Sequence, residues 1–241
     1  MFISYGHKAV MDIDYIVEGF KEAIKLLIGF DKEVYEIIFL SLFVSTSATA
    51  ISSIIFIPIG IHLVIKEFRF KKAFSRILYT FMSIPSVVVG LLVSIILSRK
   101  GPLGKFDLMY TPKAMIIAQT LLVTPLILGL TYSLAKNRGK EIEKIGKTLG
   151  AGRKDTIILI VRELKVDLIV NVVTAFSRAI SEVGAVMIVG GNIKNRTRVI
   201  TTTISLMKSM GDYPMAIALG IVLLIISFVV NSIIYTYSGE D

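Results

Sequence analysis

The 241-residue sequence contains no cysteine. That excludes a disulfide framework, a thiolate zinc site, an iron–sulfur cluster and a cysteine nucleophile. Only two histidines occur, His7 and His62, too far apart in the chain to suggest a metal site, and none is expected. Charge is scarce as well, at 19% of residues against about 25% in an ordinary soluble domain. Motifs for nucleotide or hydrolytic chemistry are missing. Gly101-Pro-Leu-Gly104-Lys105-Phe106 is only superficially similar to G-x-x-x-x-G-K-[ST], so the chain has no P-loop of its own. H-E-x-x-H and G-x-S-x-G are absent, and the apolar stretches carry neither a Ser–Lys nor an Asp pair. These absences point away from an enzyme and from any cofactor.

What the chain does have is apolar length. Residues of the hydrophobic set make up 54% and mean hydropathy is +0.75. Four stretches carry no acid, Lys or Arg: Ile37–Ile65, Ile77–Ser98, Ala114–Ala135 and Tyr213–Gly239. A bilayer core needs about 20 apolar residues per helix, so each can span. A fifth stretch, 166–193, is apolar but holds Arg178 and Glu182 in its middle; its halves are each too short to cross alone. The reading is an all-α integral membrane protein with five transmembrane helices, a membrane-spanning domain over 37–239 and a basic loop at 136–165. Residues 1–36 differ. Ile13, Ile16, Val17, Phe20, Ile24, Leu27 and Ile28 recur at helical spacing around Glu18, Lys21, Glu22 and Lys25, which predicts an amphipathic helix along an interface. No basic start, apolar core and cleavage site follow one another there, which argues against a signal peptide.

Lys and Arg outnumber Asp and Glu by 27 to 18. The surplus is densest in Lys66–Arg76, with five, and Lys136–Lys165, with nine; Arg99–Lys113 and Lys194–Asp212 carry four each. The positive-inside rule then places the N-terminus outside and the C-terminus in the cytoplasm of a multi-pass plasma-membrane protein. The basic pI of about 9.6 reports topology rather than nucleic acid.

Two features are candidates for function. On a helix, Asn171, Thr174, Arg178, Ser181 and Glu182 fall within about a third of the circumference, with Ile169, Val173, Phe176 and Ile180 opposite. A charge facing lipid costs at least about 2.5 kcal/mol near the centre, so this stripe faces inward or toward a partner. Arg178 and Glu182 are four apart and can pair. Two readings stay open: a pair that pins helix packing, and a polar path in which Arg178 attracts a dianion while Glu182 holds or releases that arginine. The second feature is the loop 136–165, read as a short helix, a turn at Gly150 and Gly152, and a second helix from near Lys154 that becomes the fourth span. It is either a solvated basic loop or a docking element for a cytoplasmic partner. Pro58, Pro85 and Pro125 sit inside the first three spans as kinks or hinges, and Ser41, Ser45, Ser47, Thr49, Ser52 and Ser53 form a small-residue surface for close packing. Lys194, Arg196 and Arg198 lie in an external loop that either docks acidic residues of a partner or concentrates anions.

The run Glu143–Ile160 resembles the coupling loop of ABC importer permeases: Glu-Ala-Ala, three residues, Gly, nine residues, Ile-x-Leu-Pro. Gly150 stands at the central glycine and Ile160 at the isoleucine. Lys144-Ile145-Gly146 replaces Glu-Ala-Ala, and Arg162-Glu163 replaces Leu-Pro. Thr148-Leu149-Gly150-Ala151 resembles the form found in the oxyanion branch. Ser83–Leu92, Ser98–Gly104, Tyr110–Gln119, Arg178–Ala185, Val189–Ile193 and Thr197-Arg198 are similar to tungstate permeases, and molybdate and sulfate permeases share much of this. The resemblance covers nearly the whole chain from about residue 12. It implies the type I ABC permease fold, a homodimer in membrane lipid, two cytoplasmic ABC ATPase subunits, an extracellular or periplasmic oxyanion-binding protein, and tungstate or molybdate as cargo. It assigns Thr148, Leu149, Gly150, Ala151 and Ile160 to ATPase coupling. An ATP-independent anion transporter or channel and a non-transporting scaffold are the other classes, although no inverted repeat is visible.

Overall fold

A computed structural model describes residues 5–66 and 69–238, with side chains described for 17–66 and 69–237. The elements are α1 (Tyr5–Ile28), α2 (Lys32–Ile65), α3 (Lys71–Met82), α4 (Ser86–Leu97), a 3₁₀ turn (Gly104–Phe106), α5 (Pro112–Leu134), a π turn (Ala135–Gly139), α6 (Lys140–Thr148), α7 (Arg153–Glu163), α8 (Lys165–Ile180), α9 (Gly184–Gly190), α10 (Ile200–Met210) and α11 (Tyr213–Ser238). No strand occurs among the described residues. Lys32–Ile65, Pro112–Thr148 and Tyr213–Tyr237 are each long and apolar enough to cross a membrane, and the number rises to five if each of two bent helix pairs is counted as one span.

The long helices begin where the sequence supplies a cap. The Asp31 carboxylate accepts from Val34 N–H at 3.0 Å. Thr111 Oγ1 accepts from Ala114 N–H at 3.4 Å, with Pro112 in the first turn. Asp212 Oδ1 accepts from Met215 N–H at 3.3 Å. Each satisfies a donor that has no partner within its helix. At the centre α2 packs on α5. Ser41, Ser45, Thr49, Ser52 and Ser53 are buried, Ser52 shares a hydrogen bond with Thr124 at 3.0 Å, and a Cβ on Gly60 would stand 3.1 Å from Thr131 Cγ2. Small residues bring the backbones together where lipid offers no hydrophobic drive. Outward-facing Ile54, Leu224 and Phe228 are all more than 70% exposed, as lipid-facing side chains are.

The second expected span, 77–98, is not one helix. α3 and α4 meet at 93° across Ser83–Pro85. Pro85 has no N–H and disfavours helix at the residue before it, and α3 closes on 3₁₀-type bonds, Ser83 N–H to Thr80 O at 3.1 Å and Ile84 N–H to Phe81 O at 3.3 Å. Pro58 and Pro125 interrupt nothing and lie within α2 and α5. The stretch 166–193 also divides, into α8 and α9, bent by 58°. A third difference concerns the basic loop: its first helix is no separate piece, because Pro112–Thr148 forms one continuous helix through the π turn. Finally, α1 docks on α11 and the start of α2: a Cβ on Gly19 would lie 3.3 Å from Ile217 Cδ1, and Leu26 and Leu27 pack against Val34, Ile37 and Leu219. Val17, Phe20, Ile24 and Ile28 stay exposed; the side chains of Ile13 and Ile16 lie outside the described residues.

The two half-helices α4 and α9 pack side by side, and glycine sets their separation. A Cβ on Gly90 would meet Ala185 Cα at 2.7 Å, and one on Gly184 would meet Val87 Cγ2 at 2.7 Å. Gly90→Val therefore forces backbone apart and is expected to cost about 1–3 kcal/mol. Gly220→Ala, with nothing within 4 Å, should leave thermal unfolding of the detergent-solubilised protein unchanged. Equal melting of the two variants would refute this account of the α4–α9 crossing.

Candidate functional site

The α8–α9 break is built around one buried carboxylate. Glu182 is 3% exposed; its Oε1 accepts from Val183 N–H at 3.0 Å and Ala185 N–H at 3.3 Å, capping α9. Its Oε2 lies 3.4 Å from Arg178 Nη1, and its backbone carbonyl accepts the Thr201 hydroxyl at 2.6 Å. The expected pair exists, and Glu182 is also the N-terminal cap of a half-helix. Arg178 has a side chain 44% exposed, so its guanidinium keeps donors for another anion.

The polar stripe holds only as far as the helix does. Asn171, Thr174 and Arg178 share a face of α8. Because α8 ends at Ile180, Ser181 and Glu182 leave that face, Ser181 outward and Glu182 inward. Thr174 Oγ1 donates to Val170 O at 2.8 Å, and Ser181 Oγ to Ser177 O at 2.9 Å, so both hydroxyls are satisfied locally. Asn171 Nδ2 is buried without a partner. Beside this break stands the start of α4: a Cβ on Gly184 would lie 3.1 Å from Ser86 Oγ and 3.5 Å from Val87 N. No side chain caps α4. Helix N-termini favour anions, and this one, without a side-chain cap, stands against Gly184 at the same break that Arg178 and Glu182 flank.

Gln119 belongs to this break and was not among the expected site residues. It is buried, its Nε2 donates to Ala179 O at 3.0 Å, and its Oε1 has no partner. It is the one amide in the stretch 114–135, which is the signal that marks it.

The second site is a helical hairpin. α6 ends with Gly150 at φ +79°, Gly150 N–H bonded to Lys147 O at 3.0 Å and Ala151 N–H to Gly146 O at 2.9 Å. This Schellman closure needs the left-handed conformation that glycine adopts without penalty. The turn lifts Leu149, 80% exposed, and Ile145, 60% exposed. Thr148 is exposed and Ala151 half-buried, whereas Ile160 is buried among Tyr132, Ala135 and Leu164. Ile160 therefore anchors the hairpin to the bundle rather than meeting a partner directly. Arg138 Nη1 donates to Asp167 Oδ2 at 2.7 Å, tying the π turn to the start of α8.

The third candidate group is partly neutralised. Lys194 Nζ and Arg198 Nη1 lie 2.7 and 2.9 Å from the two oxygens of Glu33. Arg196 is exposed and makes no ion pair among the described residues. No local pattern links Glu33 to cations some 160 positions away. The loop itself is held by Thr197 Oγ1, which donates to Gly190 O at 2.6 Å and accepts from Ile193 N–H at 2.9 Å. No cluster of three or more His, Asp or Glu that could hold a metal occurs among the described residues.

A family model described as "Binding-protein-dependent transport system inner membrane component" matches residues 54–238. The chain belongs to this family. This permease is 66% identical over 95% of its length to the whole of the tungstate uptake system permease protein TupB of Peptoclostridium acidaminophilum. It is 38% identical to the protein of that name from Campylobacter jejuni, over 92% of each chain. It is also 38% identical to a probable anion ABC transporter permease of Haloferax volcanii, over 80% of this chain and 85% of the other. The permease is thus an ABC importer subunit of multi-pass membrane type, and its relatives are transport proteins. The α8–α9 break and the hairpin both lie within the matched region, while Glu33 lies before it.

In this permease Glu182→Ala removes a helix cap and a buried ion pair together, and is expected to cost about 1–3 kcal/mol. Glu182→Gln keeps an acceptor oxygen for the α9 N–H groups and should cost clearly less. Thermal unfolding of the two purified variants compares them, and equal losses would show that the charge matters and the cap does not.

Proposed function

We propose that this permease passes tungstate inward, by alternating access, through a path that includes the α4–α9 corner. The observation that carries the cargo is the 66% identity across 95% of the chain with a tungstate uptake permease. The corner supports it chemically: a half-exposed Arg178, the hydroxyl of Ser181 and the uncapped α4 N-terminus suit an oxyanion, with Asn171, Thr174 and Gln119 close in sequence or contact. Because Arg178 lies open on one side of a single copy, a path formed between two copies fits best, so the working unit is a homodimer in lipid. The N-terminus lies outside and the C-terminus in the cytoplasm, following the density of Lys and Arg in 66–76 and 136–165, and α1 lies at the outer interface.

ATP hydrolysis takes place in two separate cytoplasmic ATPase subunits, which grip the hairpin through Thr148, Leu149, Gly150 and Ala151. The support is the exposed apolar Leu149 at the apex of a rigid turn, a form suited to a groove in a partner. An external oxyanion-binding protein meets the opposite end, where Arg196 is available to its acidic residues and Glu33 holds Lys194 and Arg198 in place.

Two experiments follow, with permease, ATPase and binding protein reconstituted in liposomes. Arg178→Gln should lower tungstate uptake by about tenfold or more, the scale of one charged hydrogen bond, while assembly is retained. Loss of assembly instead would assign Arg178 to packing. Leu149→Asp should leave basal ATP hydrolysis but abolish its stimulation by the loaded binding protein. Tungstate uptake by the permease without ATPase subunits would overturn the reading.

A further inference from the structure

A cavity of about 800 Å³ opens where the apolar lengths of α2 and α5 end, and its lining includes Arg69, Lys72, Arg76, Lys136 and Lys140. Among the described residues no acidic side chain lines it, and none of these five cations makes an ion pair with another described residue. Lys71, also at its wall, donates to Val64 O at 2.6 Å and Lys66 O at 3.3 Å. Five like charges around one hollow repel one another, so the arrangement calls for a counter-anion. The phenol of Tyr132 and the uncapped start of α3 also border the hollow, adding donors that suit phosphate oxygens.

The surroundings specify what carries that anion. Ser75 reaches Tyr132 at 3.2 Å, Phe74 meets the Tyr132 ring edge-on at 6.0 Å, and Gly129 faces Met82. Both ends of α3 thus touch about one turn of α5, so α3 crosses α5 instead of running beside it. Along α3, Phe70, Ile77 and Phe81 are all at least 50% exposed, and at 100° per residue they fall within about 40° of arc. Lys72 and Arg76 lie on the opposite face. An exposed apolar stripe and a cationic hollow on one helix, at the level where the spans give way to Lys66 and Lys136, is the layout of a helix seated at a bilayer surface.

We propose that this hollow binds the headgroup phosphate of an anionic phospholipid whose acyl chains lie along Phe70, Ile77 and Phe81. A free anion would satisfy the cations but would leave the stripe unexplained. The hollow also lies one helix length, about 13 Å, from the hairpin apex at Leu149, so an acidic surface of a partner ATPase is a separate occupant. The lipid would bridge the α2–α3 connection and the root of the hairpin through Lys136 and Lys140.

The test uses the full-length permease in mild detergent. Native mass spectrometry should show phosphatidylglycerol retained in preference to phosphatidylcholine. The combined variant Lys72→Gln, Arg76→Gln, Lys136→Gln should lower that retention by about fivefold or more, and the charge-preserving variant Lys72→Arg, Arg76→Lys, Lys136→Arg should keep it. Unchanged retention in the glutamine variant overturns the proposal. A second measurement needs no variant: phosphatidylglycerol bearing a photoreactive group beside its phosphate should label peptides covering 69–76 and 136–140. Labelling confined to other segments, displacement by millimolar inorganic phosphate, or labelling no different from phosphatidylcholine with protection of these cations only by the ATPase subunit, each overturns it in favour of no site, a free anion or a protein partner.

Discussion

A backbone that breaks inside an apolar layer frees peptide groups that no solvent can satisfy, so the protein must supply partners for them. This permease breaks two of its apolar stretches, and the rest of its architecture follows from how each break is closed. At Ser181–Val183 the groups are met from three sides: Glu182 takes the N–H groups of Val183 and Ala185, Gln119 gives its amide to the Ala179 carbonyl, and Thr201 of α10 binds the Glu182 carbonyl. At Ser83–Pro85 proline removes one donor outright and α3 ends on its own tightened turn. No side chain caps the α4 start. One break is thus sealed by side chains and the other is not, and the second stands against Gly184.

Much of this was legible in the residues. Apolar stretches without charge mark the long helices to within a few positions, because burying charge in hydrocarbon is costly enough to dominate composition. The 143–160 run foretells a hairpin turning at Gly150. The breaks were not legible from periodicity. Ile77–Ser98 is uniformly apolar, and three prolines in similar settings behave differently: Pro58 and Pro125 lie in helices packed along much of their length, whereas Pro85 joins a half that crosses α5 to a half that packs on α9. That difference is tertiary. Ser181 and Glu182 satisfy a helical stripe on paper but leave it once α8 ends, and Glu33 finds Lys194 and Arg198 only through the closed fold.

The surplus of positive charge also separates into groups with different physical roles. Glu33 and Asp167 each neutralise cations that fasten one segment to another, and Lys147 pairs with Glu143 within α6 at 2.6 Å. Those charges hold the molecule together and have little left for a visitor. The cations around the hollow below α2 have no such acid among the described residues, and Arg178 spends only part of its guanidinium on Glu182. Counting Lys and Arg per loop orients the chain in a membrane, yet only the pairing reveals which charges stay available.

The π turn at Ala135–Gly139 has a mechanical consequence. It keeps Pro112–Thr148 a single 37-residue rod of about 55 Å, reaching from the Thr111 cap past Gln119 to the hairpin apex. Such a rod transmits rotation with little loss, whereas a hinge would absorb it. The extra residue of a π turn also advances the phase of everything beyond it by about a quarter turn. The azimuth at which Leu149 projects is therefore geared to the azimuth at which Gln119 faces the corner, and a torque applied at one end of the rod is felt at the other.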